Sequence, residues 1–140
     1  MSLDDEKSLS RRAIEWWASN NSGRPEEIFA ANYINHQEPD AAGGTKALSL
    51  EAWVELLKDY HSAFSNSAAL VRMQIAQGDL VATRWQITAT LTGEYLGRAP
   101  SGKEATWTGV SIDRFKNGKI VESWVNWDKY SYFEGLGLLK

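Results

Sequence analysis

The run Lys119-Ile-Val-Glu-Ser-Trp-Val-Asn-Trp-Asp128 ends in a carboxylate that follows a tryptophan and an asparagine at two-residue spacing. Side chains alternate along an extended strand, so Ile120, Glu122, Trp124, Asn126 and Asp128 share one side while Val121, Ser123, Val125 and Trp127 share the other. A carboxylate held against aromatic rings in a partly dry pocket has its pKa raised by desolvation, which suits it to moving protons near neutral pH. Asp128 is therefore the candidate general acid/base, with Trp124 and Asn126 beside it. The alternative for the same residue is a solvated strand end. Trp85 shares a strand face with Val81, Thr83 and Ile87 and lines either a pocket or the core.

These residues need elements to position them. Leu9, Ile14, Trp16 and Trp17 recur at helical spacing between Asp4 and about Asn20, where Asn20-Asn-Ser-Gly23 supplies a stop. Pro25-Glu26-Glu27 reads as the first turn of a short helix running to about Ala31, with proline where its missing N–H does no harm. Tyr33 to Gly44 reads as a strand fragment or turn entering a glycine-containing loop, of a kind that can rim a pocket. Ser49 caps a third helix whose apolar stripe is Ala52, Trp53, Leu56, Leu57, Tyr60, Ala63 and Phe64. After Ser65-Asn-Ser67 the period changes to two. Leu70 to Gln77 and Leu80 to about Gly93 read as strands joined at Gly78-Asp79, and Glu104 to Phe115 and Lys119 to Asp128 as a second hairpin. Tyr130 to Gly137 closes the chain as a helical turn. Helices packed on one face of an antiparallel sheet define an α+β fold, and a curled sheet of this kind can enclose a cavity.

At 140 residues the chain is read as a single domain over 1–140, able to bury roughly two-thirds of its unfolded surface. Seven tryptophans are a high count for that length and fit either an aromatic cavity wall or a core of bulky fillers. A net charge of −3 with scattered Lys and Arg argues against nucleic acid as a partner. The absence of cysteine excludes disulfides and thiolate metal sites, and two separated histidines are too few for a histidine-based one, so no metal is expected. The acidic start and the lack of an 18-residue apolar run point to a soluble, cytoplasmic protein with no membrane segment.

Four segments together carry a resemblance: Asn35-His36 after the second helix, Gly78-Asp-Leu-Val-Ala-Thr-Arg-Trp85, Thr92-Gly-Glu-Tyr-Leu-Gly97, and Trp107 through Asp128. Over roughly residues 10 to 137 the chain resembles the SnoaL-like polyketide cyclases of the NTF2-like superfamily. The resemblance implies a cone-shaped α+β barrel around a pocket, assembled as a dimer through the sheet. It also implies a cofactor-free intramolecular aldol ring closure on a small hydrophobic carbonyl compound. In that pattern an aspartate four residues after the tryptophan of the last long strand is the acid/base, and Trp124 and Asp128 match the pair. His36 would lie near the pocket mouth as a second acid/base or in a hydrogen-bonded structural role. Where the family places a histidine on the preceding strand, this chain has Arg114, which can steady an enolate but cannot shuttle protons.

Whether Arg114 shares the Asp128 face depends on the hairpin. A two-residue Asn117-Gly118 turn sets Asp113 opposite Glu122, a like-charge pair, so a three-residue turn pairing Phe115 with Lys119 is preferred. The expected substrate-binding residues are then Trp124, Asn126, Arg114, Trp85 and Tyr33. Two other readings stay open: hydrolysis of an epoxide or ester in the same pocket, and non-catalytic binding of a small apolar ligand.

Overall fold

The computed structural model describes residues 1–19, 23–37 and 46–139. Helix α1 (Leu3–Ser19) starts with Asp4, Asp5 and Glu6 near the positive helix end and buries Leu9, Ile14, Trp16 and Ala18. Helix α2 (Pro25–Ile28) is a single turn, and the chain passes directly into strand β1 (Phe29–Gln37). A short β2 (Lys46–Ser49) precedes α3 (Leu50–Ala63), where the Ser49 hydroxyl accepts from the Ala52 amide as the sequence predicts. Then follow β3 (Phe64–Gln77), β4 (Leu80–Leu91), β5 (Glu104–Lys116), β6 (Lys119–Trp127) and α4 (Lys129–Gly135).

The six strands form one sheet in the order β2-β1-β6-β5-β4-β3. It is open, with β2 and β3 at its edges, and mixed rather than antiparallel throughout, because β1 runs parallel to β6. The helices lie on one face, and two apolar clusters fill the space between: one around Trp85, Trp107 and Tyr132, the other around Trp16, Phe29, Tyr33 and Phe115. No described helix is long and apolar enough to cross a membrane.

Two elements are longer than the pattern suggests. β1 is a full strand, hidden because its inward residues Tyr33, Asn35 and Gln37 are largely polar and break the expected alternation. β3 begins at Phe64, and Ser65-Asn-Ser67 is a register shift inside it, with Asn66 at φ 53°.

The β5–β6 hairpin corrects the preferred turn. Phe115 pairs with Ile120 and Lys116 with Lys119, so the connection is the two-residue Asn117-Gly118 turn, both residues having positive φ. A bulge at Val121 then moves the register, so that Arg114 faces Glu122 and Asp113 faces Ser123. The like-charge pair is avoided by the bulge and not by the turn. The bulge also interrupts alternation in β6: Ile120 is buried, Glu122 is half-buried on the far face, and Ser123 and Val125 are buried again.

Candidate functional site

Between the helices and the inner sheet face lies a cavity of about 620 Å³, open where exposed residues of β2, α3 and the Leu96 turn meet. Register fixes what faces it. Asn35, Ser123 and Asp113 are direct partners across β1, β6 and β5, and the next inward row is Gln37, Val125 and Ser111. All but Val125 are polar, and all six line the cavity. Trp85 also lines it and reaches across β5 to donate its indole N–H to the Ser111 hydroxyl at 2.9 Å. Its direct partner is Gly109, where a Cβ would come within 2.5 Å of the Trp85 ring, so only glycine leaves room for that crossing.

Asp113 is the buried acid of this cavity, whereas Glu55 and Asp59, which also line it, are exposed. It is 3% exposed, and its two oxygens accept from the Ser10 hydroxyl at 2.7 Å and the Ser123 hydroxyl at 2.6 Å. Burial pushes its carboxyl up to about 6, against the pull of the two serine bonds. Tyr33, buried beside it, is held well above the usual phenol range by desolvation first and by the Asp113 charge second. The Tyr33 oxygen accepts from Asn35 Nδ2 at 2.7 Å, and Asn35 Oδ1 accepts from Gln37 Nε2 at 2.6 Å. Tyr33 in turn interacts with Ser123, so a row of polar groups runs along the wall from Gln37 to Asp113.

The residues singled out by spacing are distributed differently. Asp128 is exposed and does not line the cavity; it caps α4, accepting from the Ser131 amide at 3.0 Å and the Ser131 hydroxyl at 2.6 Å. Those bonds, the hydroxyl's first, hold its carboxyl below the usual range, which is opposite to the desolvated, raised carboxylate the sequence suggests. Trp124, Arg114 and His36 do meet, but on the outer face of the sheet. The His36 ring stacks on Trp124, its Nε2 is 2.8 Å from Glu122, and Arg114 lies over the same tryptophan while pairing with Glu122 at 3.2 Å. Asn126 is exposed on that side, opposite Val110. Of the expected substrate-binding residues, Tyr33 and Trp85 line the cavity. Glu38 and Asp40 lie outside the described residues. His61 binds the Trp17 carbonyl at 2.7 Å and ties α3 to α1.

Asp113 was discoverable from the chain. It alternates in phase with Trp107 and Phe115 along β5, and a lone carboxylate within such an apolar face is a candidate for a perturbed group.

The comparisons with known proteins agree with this architecture. The family model for SnoaL-like polyketide cyclases matches residues 7–136, and the chain belongs to that family. AclR of Streptomyces galilaeus, a provisionally assigned hydroxylase, is 26% identical with a TM-score of 0.84 over 99% of this chain and 89% of its own. IdmH of Streptomyces antibioticus, a provisionally assigned polyketide cyclase, is 26% identical with a TM-score of 0.79 over 94% of this chain and 97% of its own. TsrD of Streptomyces laurentii shares the fold at 15% identity, with a TM-score of 0.82 over 99% of both chains. No curated protein sequence matches the chain.

Proposed function

We propose that this SnoaL-like domain is a cofactor-independent cyclase or isomerase in which Asp113, rather than Asp128, moves a proton on a small hydrophobic carbonyl compound. The observation that carries the reading is a buried carboxylate on an aromatic cavity wall with its pKa raised to about 6. A general base of that pKa is mostly ionised at neutral pH yet still basic enough to accept a proton. Each carboxylate oxygen has a second lone pair beyond the one its serine uses, so Asp113 retains acceptor capacity. In the reaction, Asp113 takes a proton alpha to a carbonyl and the resulting enolate carbon attacks a second carbonyl of the same molecule. The carboxylic acid then returns the proton to the new alkoxide oxygen. The cavity contributes by holding the substrate folded.

The test is hydrogen–deuterium exchange at the alpha carbon of 1-tetralone in D2O, followed by proton NMR. The protein should accelerate exchange, with a rate that climbs as pH passes through about 6. Asp113→Asn should lower the rate by about 100-fold or more, while Asp128→Asn should leave it unchanged. Undiminished exchange in the Asp113 variant would sink the reading.

One observation favours a second reading, binding without catalysis. Ser10 and Ser123 already satisfy both Asp113 oxygens, an arrangement that also serves a purely structural carboxylate. Under that reading tetralone binds and is recovered without deuterium.

For the outer sheet face we infer a second copy of the chain as the partner. Its support is a cross-strand row, His36, Trp124, Ile112, Ala82 and Ile75, spanning five strands, with the exposed side chains of Met73, Leu70 and Val110 alongside.

A further inference from the structure

The cavity wall carries a hydroxyl with a proton still to give. Ser111 accepts the Trp85 indole N–H at 2.9 Å, and its own O–H has no acceptor among the described residues. Ser10 and Ser123, by contrast, spend theirs on Asp113. Ser111 lines the cavity from β5, and its backbone lies in the ladder between β4 and β6, so what it presents to the cavity is Cβ and Oγ. The indole N–H occupies one lone pair of that oxygen and turns the hydroxyl proton away from the Trp85 ring. Accepting such a bond also makes the hydroxyl a stronger donor. Gly109 keeps the arrangement in place by leaving room for the ring. Asp113 is the next inward residue along the same strand and lines the same cavity. Two residues of strand set the carboxyl and the hydroxyl about 7 Å apart. That interval admits a carbon and a carbonyl oxygen, with one contact of about 3 Å at each end.

We propose that the Ser111 hydroxyl binds the carbonyl oxygen of the ligand and so holds the adjacent alpha carbon in front of Asp113. The assignment rests on the proton-transfer reading of Asp113. When the alpha C–H bond breaks, its proton goes to Asp113 and its electron pair forms the enolate double bond, while the carbonyl π pair moves onto oxygen. That oxygen gains negative charge and binds the Ser111 hydroxyl more strongly than the ketone did. Returning the proton to carbon reverses both shifts.

The experiment follows the carbonyl stretch of bound 1-tetralone by infrared spectroscopy, with ¹³C at the carbonyl to separate it from protein bands. Removing Ser111 alone would free the Trp85 N–H, so the comparison is between Trp85→Phe, which keeps the hydroxyl, and the double variant Trp85→Phe/Ser111→Ala. In wild type and in Trp85→Phe the stretch should lie below its frequency in cyclohexane, as for a hydrogen-bonded carbonyl, and in the double variant it should return to that frequency. Calorimetry on the same two variants compares tetralone with tetralin, which has the ring system without the oxygen. The preference for tetralone should fall by about fivefold on loss of the hydroxyl, the worth of one net hydrogen bond. The kcat of alpha exchange should fall by about 100-fold. A packing role alone would weaken both ligands alike and leave the stretch unmoved. A cyclohexane-like stretch in wild type overturns the proposal, as does a lowered stretch that persists in the double variant, a stretch lost already in Trp85→Phe, or failure of tetralone to bind. If stretch and preference respond to Ser111 but wild type catalyses no alpha exchange, the donor subsite stands and the proton-transfer reading fails. If exchange depends on Asp113 while the stretch is insensitive to Ser111, the subsite fails alone.

Discussion

Asp113 and Asp128 are the same residue type fifteen positions apart, and their surroundings drive them in opposite directions. Desolvation raises the first, so its folded pKa of about 6 exceeds the value in the unfolded chain, near 3.8. A raised carboxyl binds more protons when folded, so its contribution to stability is greatest below the unfolded pKa and is lost as pH rises through the folded one. Relative to Asp113→Asn, wild type should therefore lose about 3 kcal/mol between pH 3.5 and 7, read from urea unfolding at each pH. A parallel pH dependence in the two proteins would show that Asp113 titrates normally. Asp128 works through two bonds to Ser131, and Asp128→Ala should cost about 1 kcal/mol by loss of the α4 cap, measured by thermal unfolding, while sparing alpha exchange. The sequence makes Asp128 conspicuous because it ends a strand next to aromatic residues. Whether a strand end is dry depends on the following helix, which here uses the carboxylate as its own first acceptor.

At the scale of elements, much of the architecture was readable. The apolar stripes of α1 and α3, the Ser49 cap and the paired hairpin strands all follow from periodicity and turn residues. What periodicity could not convey is sidedness. Tyr33, Asn35 and Gln37 point inward although two of them are amides, because the inner face borders a cavity and not only a core. His36, Trp124 and Arg114 meet on the opposite surface: His36 and Arg114 alternate outward on β1 and β5, and Trp124 joins them because the bulge at Val121 shifts the phase of β6, which the residue types do not reveal. Gly109 is a further element-scale constraint. Gly109→Ala places a methyl into the Trp85 ring and against the Trp127 Cβ, and should destabilise by about 1–3 kcal/mol. The same variant should shift the Trp85 indole resonance as its bond to Ser111 is disturbed; an unaltered indole spectrum and unfolding midpoint would contradict the crossing described above.

For the whole molecule, the two sheet faces carry different assignments: ligand and proton chemistry inside, a second copy of the chain outside. Ile112 sits in the middle of the outer row, between Ala82 and Trp124. Sedimentation equilibrium should find wild type dimeric and Ile112→Glu monomeric, with alpha exchange per chain retained; a monomeric wild type would remove the assignment. The two faces are kept apart by a single count. From Ser123 onward, which residues of β6 look inward is decided by the one extra residue at Val121. Were Val121 instead paired in the ladder, with no bulge to set it aside, the effect on the strand would be that of a frameshift on a message. Every later side chain changes address, so that Ser123 would leave Asp113 for solvent while Glu122 and Trp124 would be carried into the cavity. Loss of Val121 itself would leave every address unchanged, because Ile120, Glu122 and Ser123 would then follow one another opposite Phe115, Arg114 and Asp113.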